Sequence, residues 1–368
     1  MPPRVLIVHN IVAPYRLPIF EALSTNYDVT VFFCAEDDPT REWSADLSDY
    51  SFGYYILPNV SAGPVRINYT VLSHLRGRRF DAVILSDTPE AIATNTATAL
   101  YAKSYNIPYI IWTEVTSKTE GQEIHSQNIV SSLKTATFDS YRKILYRYAD
   151  GFIAYSNAAA SYLRYRGISD EKIAESIQVV PAETLPAPPI VDIDGPLVLY
   201  VGYLNHRKGV DTLIKAYQKS EITDGKLLIV GTGPEESQLR SLATSDRNIE
   251  FTGYVSEEQK AGYYHAADVF VLPTRHDAWG LVTNEAMYYG VPVIVSEAAG
   301  SAELVEQHSN GYIVPPGDVK LFKLKLEKLI KNTDKRQEFA QRSRTADEVT
   351  DTEVGVKPFY QALSRVLE

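Results

Sequence analysis

The sequence is poor in cysteine, in long apolar runs and in positive charge. Its single cysteine, Cys34, excludes an internal disulfide and a site built from several thiolates. No apolar run reaches the roughly 18 residues expected of a membrane-spanning helix, and the first residues have no signal-peptide pattern. The net charge of −10 argues against a general nucleic-acid-binding surface. These absences predict a cytoplasmic protein that has no nucleic acid as a partner.

The chain does contain a repeated alternation of short apolar runs and helical segments. Runs such as Arg4–His9 and Tyr109–Thr113 in the first half, and Leu197–Val201 and Lys226–Val230 in the second, are typical of strands buried on both faces of a parallel sheet. Because helical segments separate these runs, each half is predicted to be an α/β domain with a doubly wound parallel sheet. A length of 368 residues also favours two domains. We expect the ligand-binding loops of both domains to face an interdomain cleft.

Prolines mark the predicted division of the chain. Residues 181–196 contain five of them and little periodicity, which indicates a linker. We therefore expect an N-terminal domain over residues 1–185 and a C-terminal domain over residues 186–350. A last helix, residues 358–367 within the segment 351–368, is expected to pack on one of the two domains, with the N-terminal one as a candidate.

The most periodic helix of the first half is predicted over residues 129–148. Its apolar face consists of four large side chains, Phe138, Tyr141, Leu145 and Tyr148. Lys143 and Arg147 point the other way. We favour a crossover helix that packs on the sheet and exposes its basic face to solvent. The alternative is a peripheral contact with anionic headgroups on the inner face of a membrane.

Residues 269–290 predict a binding site. A buried strand, Val269–Leu272, runs into a loop with Asp277 and Gly280, and the loop opens a helix that carries Glu285 in its first turns. Free backbone N–H groups and a positive helix end suit a phosphate. Asp277 and Glu285 would then accept hydrogen bonds from hydroxyls beside that phosphate. A sugar nucleotide, which is a diphosphate with hydroxyl groups at both ends, has this chemistry.

A basic loop in the same half supports this interpretation. His206–Lys208 follows a strand that ends near Gly202, and it precedes Gly209 and a helix. Lys208 beside a helix start is well placed to meet a diphosphate. Alone, a solvated basic turn would be the better interpretation. Because residues 278–281 of the same half form a loop suited to phosphate binding, contact of Lys208 with a diphosphate is the favoured interpretation.

A second glycine turn has two equal explanations. Gly231 and Gly233 follow a strand and precede a helix, which resembles a dinucleotide turn, but Glu236 stands in place of the third glycine. An incomplete turn of this kind is weak support for a nicotinamide cofactor. Close passage of another backbone segment explains the glycines equally well.

Five segments of the second half follow one another in a familiar order. They read VGYLNHRKGVDTLIKAY, IVGTGPEESQL, FTGYVSEEQKAGYYHAADVFVLPT, HDAWGLVTNEAMYYGVPVIVS and SAELVEQHSNGYIVPPGD. In this order and spacing they resemble the donor-binding half of the family 4 retaining glycosyltransferases, which have the GT-B fold of two Rossmann-like domains. In the first half, APYRLPIFEAL is similar to the opening of members that act on surface polysaccharides and lipid-linked glycans.

The resemblance implies a role for each matching residue. Asp277 and Glu285 fall on the E-x7-E motif, in which the first acid holds sugar hydroxyls and the second holds the ribose. Lys208 matches the lysine that neutralises the diphosphate. The donor-binding residues expected are Gly202, Tyr203, Arg207, Lys208, Gly231, Tyr254, Val255, Asp277, Ala278, Trp279, Gly280, Leu281 and Glu285. Of these, Arg207 is included as a compensating charge, a task that the family does not assign to it. The acceptor-binding residues expected are Asn10, Tyr15, Arg16 and Glu114, and the expected catalytic set is Glu114, Lys208, Asp277 and Glu285. For Glu114, orientation or deprotonation of an acceptor hydroxyl and a strand-end carboxylate in solvent are equal alternatives.

The sequence also departs from the family pattern. The first acid is Asp277 rather than glutamate, Tyr203 stands where an arginine usually supports the lysine, and Glu114 stands where many members have a histidine. Residues 10–16 replace the usual glycine pair of the first loop. These departures concern the sugar and the acceptor more than the nucleotide.

The expected function is transfer of a hexose, with retention of configuration, from a UDP- or GDP-sugar to a lipid-linked or saccharide acceptor in surface glycan synthesis. The resemblance implies no bound metal and no bound cofactor, because the nucleotide sugar is a co-substrate. Two alternatives stay open. One is an epimerase or hydrolase of the sugar nucleotide, and the other is a catalytically silent nucleotide-sugar-binding partner of an active subunit.

Overall fold

The computed structural model describes residues 1–37, 46–62, 65–116, 129–244 and 248–368, with side chains described for all of these except 62 and 129–137. The chain divides into two compact units. The first consists of Met1–Gln178 together with Thr352–Glu368, and the second consists of Val179–Asp351.

Short strands form the centre of each unit. Those of the first unit are β1 (Arg4–His9), β2 (Asp28–Phe33), β3 (Gly53–Ile56), β4 (Val60–Ala62), β5 (Val65–Ile67), β6 (Ala82–Ser86), β7 (Tyr109–Thr113), β8 (Gly151–Ala154) and β9 (Ile173–Glu175). Those of the second are β10 (Leu197–Val201), β11 (Lys226–Val230), β12 (Ile249–Gly253), β13 (Val269–Leu272), β14 (Val293–Ser296) and β15 (Gly311–Val314).

Helices alternate with the strands. Those of the first unit are α1 (Leu17–Ser24), α2 (Val71–Leu75), α3 (Ile92–Ser104), α4 (Ile129–Arg147), α5 (Asn157–Tyr165) and the late α13 (Thr352–Leu367). Those of the second are α6 (Val210–Gln218), α7 (Glu236–Ala243), α8 (Glu257–Ala266), α9 (Val282–Tyr288), α10 (Ala302–His308), α11 (Val319–Lys331) and α12 (Thr333–Arg344).

Both sheets are parallel and doubly wound, which confirms the predicted fold class. The first has the order β3-β2-β1-β6-β7-β8-β9, with β4 and β5 as a separate antiparallel hairpin, and the second has the order β12-β11-β10-β13-β14-β15. The chain order reverses between β1 and β6 in the first sheet and between β10 and β13 in the second. Ligands of such sheets bind at the carboxyl ends of the strands beside this reversal. The loops after β10 and β13 are therefore the expected location of a ligand-binding site in the second unit.

The proline-rich segment 181–196 lies along the second unit instead of forming a free linker. The Val180 N–H donates to the Val349 carbonyl at 3.2 Å, and the Ala182 N–H donates to the Thr350 carbonyl at 3.1 Å. The Tyr289 hydroxyl donates to the Pro186 carbonyl at 2.8 Å. Because these bonds attach the segment to later elements, the second unit begins at Val179, earlier than the expected residue 186.

Helix α4 packs largely as expected, with one error. Leu145 is buried, Tyr141 is half-buried, and Lys143 and Arg147 are exposed. The predicted inward position of Tyr148 is wrong, since its side chain is 55% exposed. The helix ends at Arg147, so the helical periodicity no longer holds Tyr148 on the apolar face. Among the described residues, no helix combines the length and apolarity needed to cross a bilayer.

The last helix belongs to the first unit and starts earlier than predicted. It begins at Thr352 instead of Pro358, which lies inside it. Proline removes a hydrogen-bond donor from a helix interior and disfavours that position, but here the buried face of the helix outweighs this cost. The Phe359 ring lies 4.7 Å from the Trp112 ring, centre to centre, and the Tyr360 hydroxyl donates to the Ala22 carbonyl at 2.7 Å.

We expect Phe359→Ala to destabilise the first unit by about 3–5 kcal/mol, because it removes a fully buried ring and leaves a cavity. Urea unfolding followed by far-ultraviolet circular dichroism measures the change. Lys357→Ala, at an exposed position of the same helix, is the control and should leave the curve unchanged. An unaltered unfolding midpoint in Phe359→Ala would mean that α13 is not part of the first unit.

Candidate functional site

Lys208 lies at the end of a single 3-10 turn that follows β10. The turn, His206–Lys208, is capped by Asn205, whose side-chain carbonyl accepts a hydrogen bond from the Lys208 N–H at 3.2 Å. Gly209 then has a φ of 67°, and a Cβ atom there would lie 2.3 Å from the Pro273 carbonyl oxygen. Glycine is therefore required at this position, because the loops after β10 and β13 touch.

Further hydrogen bonds join these two loops. The Arg207 carbonyl accepts from the Arg275 N–H at 2.7 Å and from the Thr274 hydroxyl at 2.9 Å. The Arg275 guanidinium donates to the His206 carbonyl and to Asp211, both at 2.7 Å. Sequence reasoning missed Thr274 and Arg275, although both stand directly before the motif that contains Asp277.

Asp277 forms ion pairs with two cationic side chains of the loop after β10. The Lys208 ammonium contacts Oδ2 of Asp277, and Nη1 of Arg207 lies 3.4 Å from Oδ1. The side chains of Lys208 and Asp277 are only 13% and 12% exposed. Burial opposes ionisation of Asp277, but the charges of Lys208 and Arg207 outweigh it and lower the pKa of the carboxyl group. Two cations and one carboxylate thus meet at one point, with a net positive charge.

The loop after β14 supports the Asp277 loop from the other side. The Asp277 N–H donates to the Ala298 carbonyl at 3.0 Å, and the Gly300 N–H donates to the Asp277 carbonyl at 3.1 Å. A Cβ atom on Gly300 would lie 2.2 Å from the Ala278 carbonyl oxygen. The Asp277 loop is therefore held on both sides, which fixes the direction of its backbone groups.

Four consecutive N–H groups of this loop are open, in the sense that none of them is hydrogen-bonded within the described part of the chain. The backbone N–H groups of Ala278, Trp279, Gly280 and Leu281 have no acceptor among the described residues. Gly280 has a φ of 99°, a region that favours glycine. Successive open N–H groups next to a lysine are an anion-binding arrangement. Since α9 is short, these groups matter more than the dipole of the helix.

The side chain of Trp279 does not face this arrangement. It is 2% exposed, and its indole N–H donates to the Asn284 side chain at 2.8 Å. Asn284 in turn donates to the Val349 carbonyl at 3.0 Å. Trp279 is one of the predicted donor-binding residues, but only its backbone N–H is oriented so that it could contact a ligand.

Glu285 lies on α9 and is held by two residues of α8. Lys260 Nζ is 3.2 Å from one carboxylate oxygen, and the Tyr264 hydroxyl donates to the other at 2.9 Å. Burial disfavours the charge of Lys260, but Glu285 and Glu257 outweigh it and raise the pKa of the ammonium group. Burial, together with Glu285, raises the pKa of Tyr264 well above its ordinary value, so its hydroxyl stays a donor. Glu285 is therefore held between a cation and a hydroxyl donor.

The predicted base-binding residues belong to the segment that supplies these partners. Tyr254, which is 48% exposed, and Val255, which is half-buried, lie between the end of β12 and Ser256, which caps α8. The same short segment thus leads from Tyr254 to Lys260 and Tyr264. Sequence reasoning missed both α8 residues, since neither lies in the motif that contains Glu285.

Close backbone passage accounts for the second glycine turn. A Cβ atom on Gly231 would lie 2.1 Å from the Gly202 carbonyl oxygen, and one on Gly233 would lie 2.3 Å from the Leu204 carbonyl oxygen. The Gly202 N–H donates to the Val230 carbonyl at 3.0 Å. Tyr203 is half-buried in the same loop. The glycines thus fit two loops against each other, and a nicotinamide cofactor is not needed to explain them.

In the first unit, the predicted acceptor residues surround Tyr155. Arg16 is 5% exposed, and its guanidinium carbon lies 4.8 Å from the Tyr15 ring centre, 4.9 Å from that of Trp112 and 4.5 Å from that of Tyr155. Burial raises the pKa of Tyr155, Arg16 lowers it, and the nearby charge of Glu114 raises it. Glu114 itself is exposed directly after β7. Tyr15 and Arg16 are therefore neighbours, and the charge of Glu114 acts on the same tyrosine, Tyr155.

Asn10 lies in the same loop as Tyr15 and Arg16, at the carboxyl end of β1. Its carbonyl accepts from the Ala35 N–H at 3.1 Å and from Nη1 of Arg66 at 3.3 Å. The predicted site residues thus form one group in the second unit, around Lys208 and Asp277, with Glu285 on the adjoining helix, and a second group in the first unit.

Comparisons with known proteins point to one family. The family described as glycosyl transferases group 1 matches residues 183–346. Over 145 residues the chain is 37% identical to the GDP-mannose-dependent monoacylated alpha-(1-6)-phosphatidylinositol monomannoside mannosyltransferase of Corynebacterium glutamicum. The aligned segment covers 36% of this chain and 38% of that protein. The chain spans about a third to a half of the length of the curated relatives it matches.

Solved structures resemble the whole chain. Sucrose-phosphate synthase from Thermosynechococcus elongatus has a TM-score of 0.76 at 19% identity, with 99% of each chain covered. Anabaena HepE, solved in complex with UDP-glucose, has a TM-score of 0.75 at 17% identity, with 98% of this chain and 99% of that chain covered. At such identities the likeness establishes the fold, which is GT-B. The segment that matches the group 1 glycosyltransferases, residues 183–346, carries Lys208, Asp277 and Glu285.

Proposed function

We propose that the protein is a retaining glycosyltransferase that moves a hexose from a UDP- or GDP-sugar to a lipid-linked or saccharide acceptor. One observation carries the proposal: Lys208 and Arg207 converge on Asp277 beside four open N–H groups. Such an arrangement can hold a diphosphate while leaving a carboxylate next to the attached sugar. The family match of residues 183–346 and the two parallel-sheet units support it.

In the proposed donor complex each group has one task. Lys208, Arg207 and the N–H groups of residues 278–281 bind the diphosphate, and Glu285 accepts hydrogen bonds from the ribose. Asp277 accepts a hydrogen bond from a sugar hydroxyl. Fixed positive charge at the diphosphate stabilises the leaving nucleoside diphosphate, which is where most of the rate enhancement would arise.

The proposed transfer takes place on one face of the sugar. The anomeric carbon loses its bond to the diphosphate oxygen and gains a bond to the acceptor hydroxyl oxygen from the same side. The departing phosphate oxygen takes the proton of that hydroxyl, so the products are the glycoside and the nucleoside diphosphate, and the configuration is retained. This path requires no protein nucleophile. Exclusion of water by the bound acceptor would protect the donor from hydrolysis.

The acceptor is proposed to bind at the first unit, at the group of Asn10, Tyr15, Arg16 and Glu114. The name of the Corynebacterium relative specifies a phosphatidylinositol mannoside as acceptor, which favours a lipid-linked acceptor here. In this proposal Glu114, which is exposed directly after β7, orients an acceptor hydroxyl.

Lys208→Ala is expected to reduce transfer from the productive UDP- or GDP-sugar by at least about a hundredfold, a loss typical of removing one charge-stabilising group. Transfer to a pool of lipid-linked and free saccharides is measured by release of nucleoside diphosphate. Lys219→Ala, at an exposed lysine after α6, is the control and should keep full activity. Undiminished transfer in Lys208→Ala would refute the donor site, and rapid turnover of the donor without acceptor would favour an epimerase or hydrolase.

Asp277→Asn separates binding from transfer. Removal of the carboxylate frees Lys208 and Arg207, so the affinity for UDP or GDP should rise by about tenfold, equivalent to about 1.4 kcal/mol. The rate of transfer should fall, because an amide is a weaker acceptor for the sugar hydroxyl. Calorimetry and kcat measure the two effects, with Asp224→Asn at an exposed acid as control. Weaker nucleotide binding in Asp277→Asn would show that Asp277 does not compete with the diphosphate.

Glu285→Gln tests the ribose contact separately. The variant keeps an acceptor for Tyr264 but loses the carboxylate, so UDP or GDP should bind about tenfold more weakly, in the range of a charged hydrogen bond. Inorganic pyrophosphate, which has no ribose, should bind as to the wild type. Lys208→Ala should weaken both ligands. Equal losses for UDP and pyrophosphate in Glu285→Gln would assign Glu285 to the phosphates instead.

A further inference from the structure

Lys260, on α8, lies between two carboxylates. Its ammonium nitrogen is 2.7 Å from Oε2 of Glu257 and 3.2 Å from Oε1 of Glu285. The side chain of Glu257 is 49% exposed, whereas those of Lys260 and Glu285 are only 16% and 12% exposed. The contact with Glu285 is therefore the better shielded of the two, and shielded ion pairs are less weakened by solvent and salt. The proposed donor complex gives Lys260 no task of its own.

The two oxygens of Glu285 are held by different side chains. Lys260 contacts Oε1, and the Tyr264 hydroxyl donates to Oε2 at 2.9 Å. Lys260 and Tyr264 are four residues apart on α8 and so lie on the same face of the helix. The Tyr264 ring is stacked on Tyr289, with 5.6 Å between ring centres and 11° between ring planes. A carboxylate that is held at both oxygens has a fixed plane as well as a fixed position.

The helix that supplies these partners is itself held closely. Gly262 lies between them on α8, and a Cβ atom there would lie 2.6 Å from Cγ2 of Val191 and 3.2 Å from the Pro189 carbonyl oxygen. Glycine weakens a helix interior, and the close approach of the proline-rich segment explains its presence here. Because α8 lies directly against this segment, the fold sets the direction in which Lys260 and Tyr264 face Glu285.

Each oxygen of Glu285 keeps one open position for a further hydrogen bond. A carboxylate accepts about four hydrogen bonds, two at each oxygen. In the described part of the chain, Lys260 and Tyr264 occupy one position at each. The two remaining positions lie side by side on one rigid group. Two hydroxyl groups on adjacent carbon atoms, such as the 2′ and 3′ hydroxyls of a ribose, match this pair.

We propose that Lys260 is a positioning residue that makes the second unit selective for ribonucleotide donors over 2′-deoxyribonucleotide donors. It acts through Glu285, whose carboxylate it fixes so that both open positions meet the ribose hydroxyls. The inference rests on the ribose contact of Glu285 in the proposed function.

The selectivity follows from the rigidity of the acceptor. Sharing the carboxylate with Lys260 weakens each bond to the ribose, but a fixed oxygen cannot turn to another donor when one hydroxyl is missing. A shielded acceptor that is left unpaired is what rejects a ligand lacking a hydroxyl group. UDP- and GDP-sugars are then accepted, and thymidine diphosphate sugars, which contain 2′-deoxyribose, are rejected.

Calorimetry with matched nucleotides measures this selectivity. UDP and 2′-deoxy-UDP, or GDP and 2′-deoxy-GDP if GDP binds more tightly, differ only in the 2′ hydroxyl. The wild type should prefer the ribonucleotide by at least about tenfold, the effect of one hydrogen bond to a charged group. In Lys260→Met, which removes the cation, the preference should fall below about threefold, because Glu285 is then free to turn about its remaining bond to Tyr264. Binding of inorganic pyrophosphate, which has no ribose, should change by less than about twofold.

Three further variants separate a positioning role from a structural one. Lys260→Arg keeps the cation and should retain a preference of at least about fivefold. Lys260→Met added to Glu285→Gln should leave the preference where Glu285→Gln alone puts it, because Lys260 acts through that carboxylate. Lys226→Met is the matched control, since Lys226 on β11 also pairs with one carboxylate at 3.2 Å, that of Glu250, and it should bind as the wild type does. Circular dichroism verifies that each variant is folded.

The outcomes that contradict this inference differ from those that contradict the proposed function. Equal affinity of the wild type for the ribonucleotide and its 2′-deoxy analogue would overturn the inference and leave the donor site standing. Equal weakening of both nucleotides and of pyrophosphate in Lys260→Met would show a structural role instead. A further loss of preference when Lys260→Met is added to Glu285→Gln would show that Lys260 contacts the ribose itself. A wild type that binds neither UDP nor GDP would contradict the proposed function, and this inference with it.

Discussion

The contact between Lys208 and Asp277 is the interaction on which the second unit's site depends. It joins the loops after β10 and β13, on either side of the point where the sheet reverses its chain order. Both side chains are largely buried, so loss of one partner would leave the other charge uncompensated. The hydrogen bonds of Arg207, Thr274 and Arg275 brace the same junction. The open N–H groups therefore have a fixed position before any ligand arrives.

The same contact sets a limit on ligand affinity. A diphosphate that binds at Lys208 has to compete with the carboxylate of Asp277 or share the lysine with it. The competition lowers affinity, but the contact with Asp277 holds the lysine side chain in place in the free protein. Glu285 is arranged similarly, because Lys260 and Tyr264 hold its carboxylate in place. Both acids are thus positioned by partners, at a cost in binding strength.

Sequence patterns predicted the sheets well because buried parallel strands are short continuous apolar runs, as in Tyr109–Thr113. They predicted Lys208, Asp277 and Glu285 as a group because the motifs lie next to strand ends. The patterns did not reveal Lys260, since its contact with Glu285 comes from the packing of two helices. The predicted start of α13 at Pro358 was wrong. The rule that proline disfavours a helix interior was outweighed by the burial of Phe359. The position of Trp279 also depends on packing, through its bond to Asn284.

The return of the chain to the first unit affects the order of folding. The second unit is one continuous segment, whereas the first lacks α13 until residues 352–367 have been synthesised. On the ribosome the second unit is therefore able to complete its core before the first. Until then Trp112 lacks the ring of Phe359 that covers it. A chaperone that recognises uncovered aromatic surface would find its target there, in the half of the chain that is translated first.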